Sequence, residues 1–287
     1  MPFTLSHPAA VLPLLRSPFS RAALVAGAVA PDLPYFVSTI GLPVSAQSWY
    51  EPFVNATTTH SVSGVPAVTL PYTLLLWGLF LAAHQPVAAL LRLPPDTAQP
   101  PSRSVARTVG AVARRAGWVL LSALIGIATH LVWDSFTHFD GFVVTHIHWL
   151  NSTLVGSFSW ARALQHLSTI GGLAVLAVYG WRRRDRLRAG TVLTGPAAVT
   201  RRRVLLALAL GALAGAVAHA WWRLTAPEAR DGVPLDALVE GVLSDAAKGA
   251  GAGLIAALAV YATAWWIRRA AGGARRYRDA VPADTAA

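Results

Sequence analysis

Apolar residues gather into five long runs along this chain: Val65 to Ala83, Gly117 to Phe136, Ala163 to Trp181, Val204 to Trp222 and Gly249 to Ile267. Each is close to the roughly 20 residues a helix needs to cross the hydrocarbon of a bilayer. The pattern predicts an all-α integral membrane protein, a helical bundle of about five transmembrane helices. Ahead of the first run, Ser6 is placed to cap a short helix starting near His7 and Pro8, which Pro13 ends, and Arg21 to Ala30 forms a second short apolar helix closed by Pro31. Neither can span, so both are expected to pack against the bundle or lie at the outer interface. Ala30-Pro31-Asp32-Leu33-Pro34-Tyr35 reads as a rigid turn. The segment Val37 to Ser63, with Trp49, Tyr50 and Phe53 suited to an interface, ends in Thr57-Thr58-Thr59-His60-Ser61 directly before the first run. Pro94 to Ser104 reads as a linker, Gly195-Pro196 as a break, and the tail after Gly272 as disordered. The expected division is residues 1–182, carrying the first three spans and the polar motifs, and 183–287, carrying an Arg-rich linker, the last two spans and the tail.

The distribution of basic residues orients these spans, because cytoplasmic loops collect Lys and Arg. Taken from the N-terminus, the segments outside the five runs hold two, five, one, eight, three and five basic residues. That alternation predicts the cytoplasmic (inner) membrane as location, with the N-terminus outside and the C-terminus inside. It also accounts for the net charge of +11: 18 of the 24 basic residues fall on the predicted cytoplasmic side, where anionic lipid, not nucleic acid, is the expected partner. Ala28-Val29-Ala30 resembles a signal cleavage site, but the apolar stretch before it is short and Pro31 follows, so retention is expected. With no cysteine, there is neither a disulfide framework nor a thiolate site.

Polar chemistry concentrates where the second run ends, in Thr129-His130-Leu131-Val132-Trp133-Asp134-Ser135-Phe136-Thr137-His138. Steps of four place His130, Asp134 and His138 within an arc of about 80°, stacked over roughly 12 Å of helix. Ionisable groups at the edge of hydrocarbon are costly and usually serve function. By the charge-derived orientation His7, Asp32 and His60 lie on the same outer side, so six N and O donors converge there. Imidazole with carboxylate suits zinc, with manganese or iron as alternatives, and six donors leave room for two metals bridged by Asp134 or Asp32. Such a centre activates water. No GxSxG motif is present, which favours attack by water over a covalent route.

SHPAAVLPLL, APDLPYF, TTTHS and THLVWDSFTHFDG, spread between His7 and Gly141, resemble an uncharacterised family of bacterial multi-span membrane proteins. That family is in turn similar to the predicted membrane-bound metal-dependent hydrolases, and more remotely to zinc-dependent phospholipase C and single-strand nucleases. The resemblance implies His7, Asp32, His60, His130 and Asp134 as metal ligands. The chain departs from the hydrolase pattern at Asn55 and Ala56, where many of the hydrolases carry a His-Arg pair.

The expected activity is hydrolysis of a phosphodiester or lipid-linked substrate at the outer face. His7, His60, His130 and Asp134 bind metal, Asp32 bridges or orients water, and His138 completes the shell; Asp32, Asp134 and His138 carry the catalytic roles. The rival readings are a metal or proton transporter and a structural membrane protein whose His-Asp network only fixes packing. Ordinary roles compete at each residue: a cap for His7 or His60, a self-satisfied turn for Asp32, an interfacial histidine for His138. His146 and His148 share a face if extended and are candidate acid–base groups or solvated loop residues. His84, His166 and His219 read as interface groups, and the acidic series Glu228, Asp231, Asp236, Glu240 and Asp245 as a solvated face.

Overall fold

The computed structural model describes residues 4–37, 48–91, 109–156, 158–188, 198–226 and 234–280. The Pro94 to Ser104 linker, Gly195-Pro196, Glu228 and Asp231 lie outside the described residues. Among the described residues the chain is all-α apart from one short hairpin. In order it forms α1 (Pro8–Val11), α2 (Arg21–Val29), α3 (Leu33–Val37), α4 (Glu51–Val54), α5 (Ala56–Thr59), α6 (Leu70–Leu91), α7 (Val109–Thr137), α8 (Phe142–His146), α9 (His148–Asn151), the antiparallel pair β1 (Thr153–Val155) and β2 (Phe158–Ser159), α10 (Trp160–Arg188), α11 (Ala198–Thr225) and α12 (Leu235–Ala280). Five segments are long and apolar enough to cross a membrane: Val65–Leu91, Val109–His146, Trp160–Arg184, Ala198–Thr225 and Ala237–Gly272. They make this a multi-pass membrane protein. Each extends beyond the apolar run that marks it, because helices continue through flanking polar residues; α12 runs past Gly272 to Ala280, where the sequence suggested disorder.

Contacts divide the chain into two compact units, Met1–Leu81 with Asp96–Ala189, and Ala82–Pro95 with Gly190–Ala287. The centre of the first unit is the packing of α2 on α7. Gly27 and Gly126 let the backbones touch: a Cβ at Gly126 would lie 2.3 Å from the Leu24 carbonyl oxygen, and one at Gly27 would lie 2.4 Å from that of Ala123. Ala23 and Ala123 are wholly buried beside them.

The short N-terminal helices do more than line an interface. His7 stacks on His130 of α7, and Phe19 meets Trp118 edge-on; those α7 positions are twelve residues apart, about 18 Å of helical rise. The chain then returns parallel to α7, with the Ser20 N–H donating to Ser122 Oγ at 2.9 Å and the Ala28 carbonyl accepting from His130 at 2.8 Å. Residues 7–32 therefore form a hairpin along α7, sealed by Val11, Leu24 and Ala28 at zero exposure. Arg16 and Arg21, counted above with the outer segment, sit at the turn of this hairpin near Trp118, toward the end of α7 that carries Arg114 and Arg115. Ser6 does not cap α1: it is buried against α10, where a Cβ at Gly172 would lie 2.8 Å from its own Cβ.

In the second unit, the end of α6 packs on α12. Pro86 lies inside α6 and lacks the N–H that would serve the Ala82 carbonyl. The Trp266 indole N–H takes its place, donating to Ala82 at 2.9 Å, while the Tyr261 hydroxyl donates to the Pro86 carbonyl at 3.1 Å. At the helix end, Arg201 Nε donates to the Leu90 carbonyl at 3.0 Å. Helices α11 and α12 form a hairpin through Gly211 and Gly215 on one side and Gly249 and Gly253 on the other; a Cβ at Gly215 would lie 2.1 Å from the Gly249 oxygen.

Gly126→Ala should lower the stability of the detergent-purified protein by about 1–3 kcal/mol through overpacking. Gly78→Ala, whose Cβ meets nothing within 4 Å, should raise it by up to about 1 kcal/mol. Thermal unfolding of both variants beside wild type checks the pair.

Candidate metal centre

Three separate devices bring the polar motifs together. On α7, Gly126 stands one turn before His130 and admits α2 so closely that the Ala28 carbonyl reaches His130 Nδ1. A carbonyl only accepts, so Nδ1 carries the proton and Nε2 turns its lone pair into the pocket. His60 is prepared in the same way. It closes the single turn α5, which Asn55 caps by accepting from the Thr57 N–H at 2.8 Å, and its Nδ1 donates to the Ala56 carbonyl at 2.8 Å. Asn55, at the position where the hydrolase pattern differs, thus sets the turn that aims His60. Asp32 ends a 3-10 turn, Ala30–Asp32, which leads directly into α3. Thr59 ties the two segments together, its hydroxyl donating to the Pro31 carbonyl at 2.6 Å, and Thr69 in the π-helical turn that opens the first span donates to the Thr59 carbonyl at 2.9 Å.

The resulting distances describe one compact donor set. His130 Nε2 lies 3.0 Å from Asp134 Oδ2, 3.5 Å from Asp32 Oδ1 and 3.3 Å from His60 Nε2. His60 Nε2 lies 3.3 Å from Asp134 Oδ2 and 3.4 Å from Asp32 Oδ1. Asp32, His60, His130 and Asp134 each offer one atom within 4.8 Å of all the others, a group that can hold a metal ion. Asp32 and His130 have zero exposure and Asp134 5%.

His7 and His138 flank this set through the other oxygen of Asp134: His7 Nε2 and His138 Nδ1 each lie 3.5 Å from Oδ1. His7 is 1% exposed and stacks on His130 with ring centroids 3.9 Å apart. His138 Nδ1 also faces the Asp134 main-chain carbonyl at 3.3 Å, so it holds its proton there and directs Nε2 away from Asp134. All six predicted residues are therefore gathered in one place, four as a mutual donor set and two against Asp134. His146 and His148 are not extended; each belongs to its own short helix, α8 or α9, and both are exposed. His166 stacks on Phe158, and His84 lies inside α6 because that helix runs on to Leu91.

The polar atoms here are poorly satisfied by protein. Both oxygens of Asp32 and of Asp134 and both nitrogens of His7 are buried without a hydrogen-bond partner. Asp32 thus does not satisfy its own turn, and two imidazole lone pairs 3.3 Å apart face two carboxylates. Acceptors opposed in this way require a cation among them, a proton or a metal. The bare protein supplies protons: although burial works against it, the Asp134 and Asp32 carboxylates push His60 up to about 9. Burial, with His130 beside it, holds His7 down at about 4. Asp32 is lowered, the burial that would raise it being outweighed by His130 and His60. Tyr35, which the sequence did not single out, meets His60 edge-on at 6.2 Å; burial and then Asp32 push its phenol up to about 12, so it stays protonated. Its signal in the sequence was adjacency to the Pro-Asp pair.

Residues 1–263 match the family described as Domain of unknown function (DUF4184). The chain belongs to the DUF4184 family. No curated protein and no solved structure matches it. The DUF4184 match takes in every residue of the donor set, all of α11, and α12 as far as residue 263.

Metal-free protein should be most stable near pH 6.5. The raised His60 contributes stability that is whole below 6.5 and lost as pH rises through about 9. The lowered His7 makes stability fall as pH drops from 6.5 toward about 4. Melting temperatures across pH 4 to 9 check both limbs; His60→Gln should flatten the alkaline limb and His7→Gln the acidic one.

Proposed function

We propose that this protein is a membrane-bound metal-dependent hydrolase whose centre holds zinc, with manganese or iron as alternatives, on Asp32, His60, His130 and Asp134. The observation that carries the reading is the spacing of the donors. An ion with four ligands at about 2.0–2.1 Å in a tetrahedron spaces them about 3.3–3.4 Å apart. Five contacts among the four side chains run from 3.0 to 3.5 Å. Two further features support it. Each ligating imidazole is oriented by a backbone carbonyl on its far nitrogen, the usual support of a metal-bound histidine, and the carboxylate oxygens lack protein partners.

A divalent ion there supplies Lewis acidity, lowering the pKa of a water and polarising a phosphoryl or acyl oxygen. The surrounding residues do the rest. His7, held neutral by burial, sets Nε2 3.5 Å from Asp134 Oδ1, where it can take up a proton released at the centre. Asp32 accepts a hydrogen bond from the attacking water and fixes its direction. His138 sits at the more open rim beside Phe139 and Phe142, exposed by 78% and 71%, where its unprotonated Nε2 can accept a hydrogen bond from water or substrate. This apolar rim suits a lipid-linked or other phosphodiester substrate. The positive-inside pattern supports a location at the outer face of the cytoplasmic membrane. Transport is less well supported, since ionisable groups cluster at one end of the first unit, and α11 between Val204 and Trp222 carries only His219.

Elemental analysis of the purified protein is expected to give stoichiometric metal that His130→Ala and Asp134→Ala abolish. The metal-loaded wild type should hydrolyse bis(p-nitrophenyl) phosphate, and His7→Gln should keep its metal while losing at least tenfold in kcat. Wild type that stays metal-free after zinc and manganese are supplied would reduce the cluster to a packing network; bound metal without hydrolysis would retain the centre and remove the enzyme.

A further inference from the structure

A cavity of about 460 Å³ opens between α11 and α12 within the second unit, lined by Thr200, Val204, Leu208, Val260, Tyr261 and Arg268 among others. Its origin lies in the glycine contact. Gly211, Gly215, Gly249 and Gly253 draw the two helices together until backbone meets backbone, and antiparallel helices that cross this closely diverge away from the crossing. Toward Thr200 and Arg268 the cavity forms a wedge, with Tyr261 and Trp265 in its lining and Val204, Ala207, Leu208 and Ala257 making its apolar part.

The wide end is basic. Arg201, Arg202 and Arg203 follow Thr200 directly, and Arg268 and Arg269 end the facing stretch of α12. Of these, Arg201 is engaged with the Leu90 carbonyl and Arg269 lies 5.2 Å over the Trp265 ring. Arg268 lines the cavity itself and is exposed. No Asp or Glu occurs in α11 or between Leu254 and Gly272, so the positive field at this mouth has no acidic counterweight on either helix wall. From Thr200 to Leu208 the apolar wall runs eight residues, about 12 Å.

We propose that this wedge is a binding site for an anionic phospholipid, with the headgroup phosphate at Arg268 and Thr200 and one acyl chain lying against Val204, Leu208 and Val260. A basic pocket between transmembrane helices on the positively charged side recognises such headgroups. The apolar wall distinguishes this ligand from a free anion. The inference is independent of the metal centre, which lies in the other unit.

The full-length protein in a neutral detergent tests it. Phosphatidylglycerol should bind saturably, about one per chain by native mass spectrometry, and raise the melting temperature, whereas phosphatidylcholine with the same chains and inorganic phosphate should do neither. Arg268→Gln should weaken phosphatidylglycerol at least tenfold by removing the charge, and Leu208→Trp should do so by filling the wedge with the charges intact. Equal effects of the two lipids, displacement of phosphatidylglycerol by phosphate alone, or retention of wild-type affinity by both variants would overturn the proposal. If Leu208→Trp fails to fold, Ala264→Phe fills the same wedge and gives the same reading.

Discussion

The structure turns on an unfavourable juxtaposition: two imidazole lone pairs and two carboxylates set within 3.0 to 3.5 Å of one another in a largely buried place. Burying unpaired ionic acceptors costs several kcal/mol each unless a cation lies among them. A fold selected for stability alone would replace such a set with apolar side chains. This one instead spends backbone contacts on maintaining it. Carbonyls of Ala28 and Ala56 aim the two imidazoles, Thr59 ties His60 to the Pro31 peptide, and the glycine pair at 27 and 126 brings the Ala28 carbonyl near enough to accept from His130.

Satisfaction of backbone groups in a dry medium shapes the rest of the molecule in the same terms. Residues 7–32 run along α7 and return, with α2 and the short turns before it packed against α7 and α10. Pro86 would leave the Ala82 carbonyl unserved in hydrocarbon, and the Trp266 indole answers it. The same indole contact fixes α12 against the end of α6, so the proline and the tryptophan act as one locking element. The glycine stripes of α11 and α12 give a second example. They remove side chains where the helices cross, and the resulting divergence makes the basic-mouthed wedge.

The membrane class, the five spanning helices and the polar motifs were legible in the sequence because each is a one-dimensional signal: run length, charge alternation, and a step of four along a helix. His130 and Asp134 were the clearest, sharing one face of one helix. His7, Asp32 and His60 were linked to them only by side and by family resemblance. Less was legible for residues with ordinary alternatives. Ser6 resembled a cap and proved to be a contact for Gly172; His146 and His148 shared a face only in a strand that does not form. Tyr35 and Thr59 carry no signal of their own.

By itself the sequence determined that this is a multi-pass helical membrane protein with histidines and aspartates collected toward one end of its spans, because hydropathy and helical period act locally. Only the tertiary structure decided that residues separated by up to 127 positions, from His7 to Asp134, meet in one cluster, and that the N-terminal helices pack along α7. Those outcomes depend on how closely two backbones approach and on which carbonyl meets which ring nitrogen. Such contacts are made by chain segments distant in sequence, and no pattern along one segment contains them.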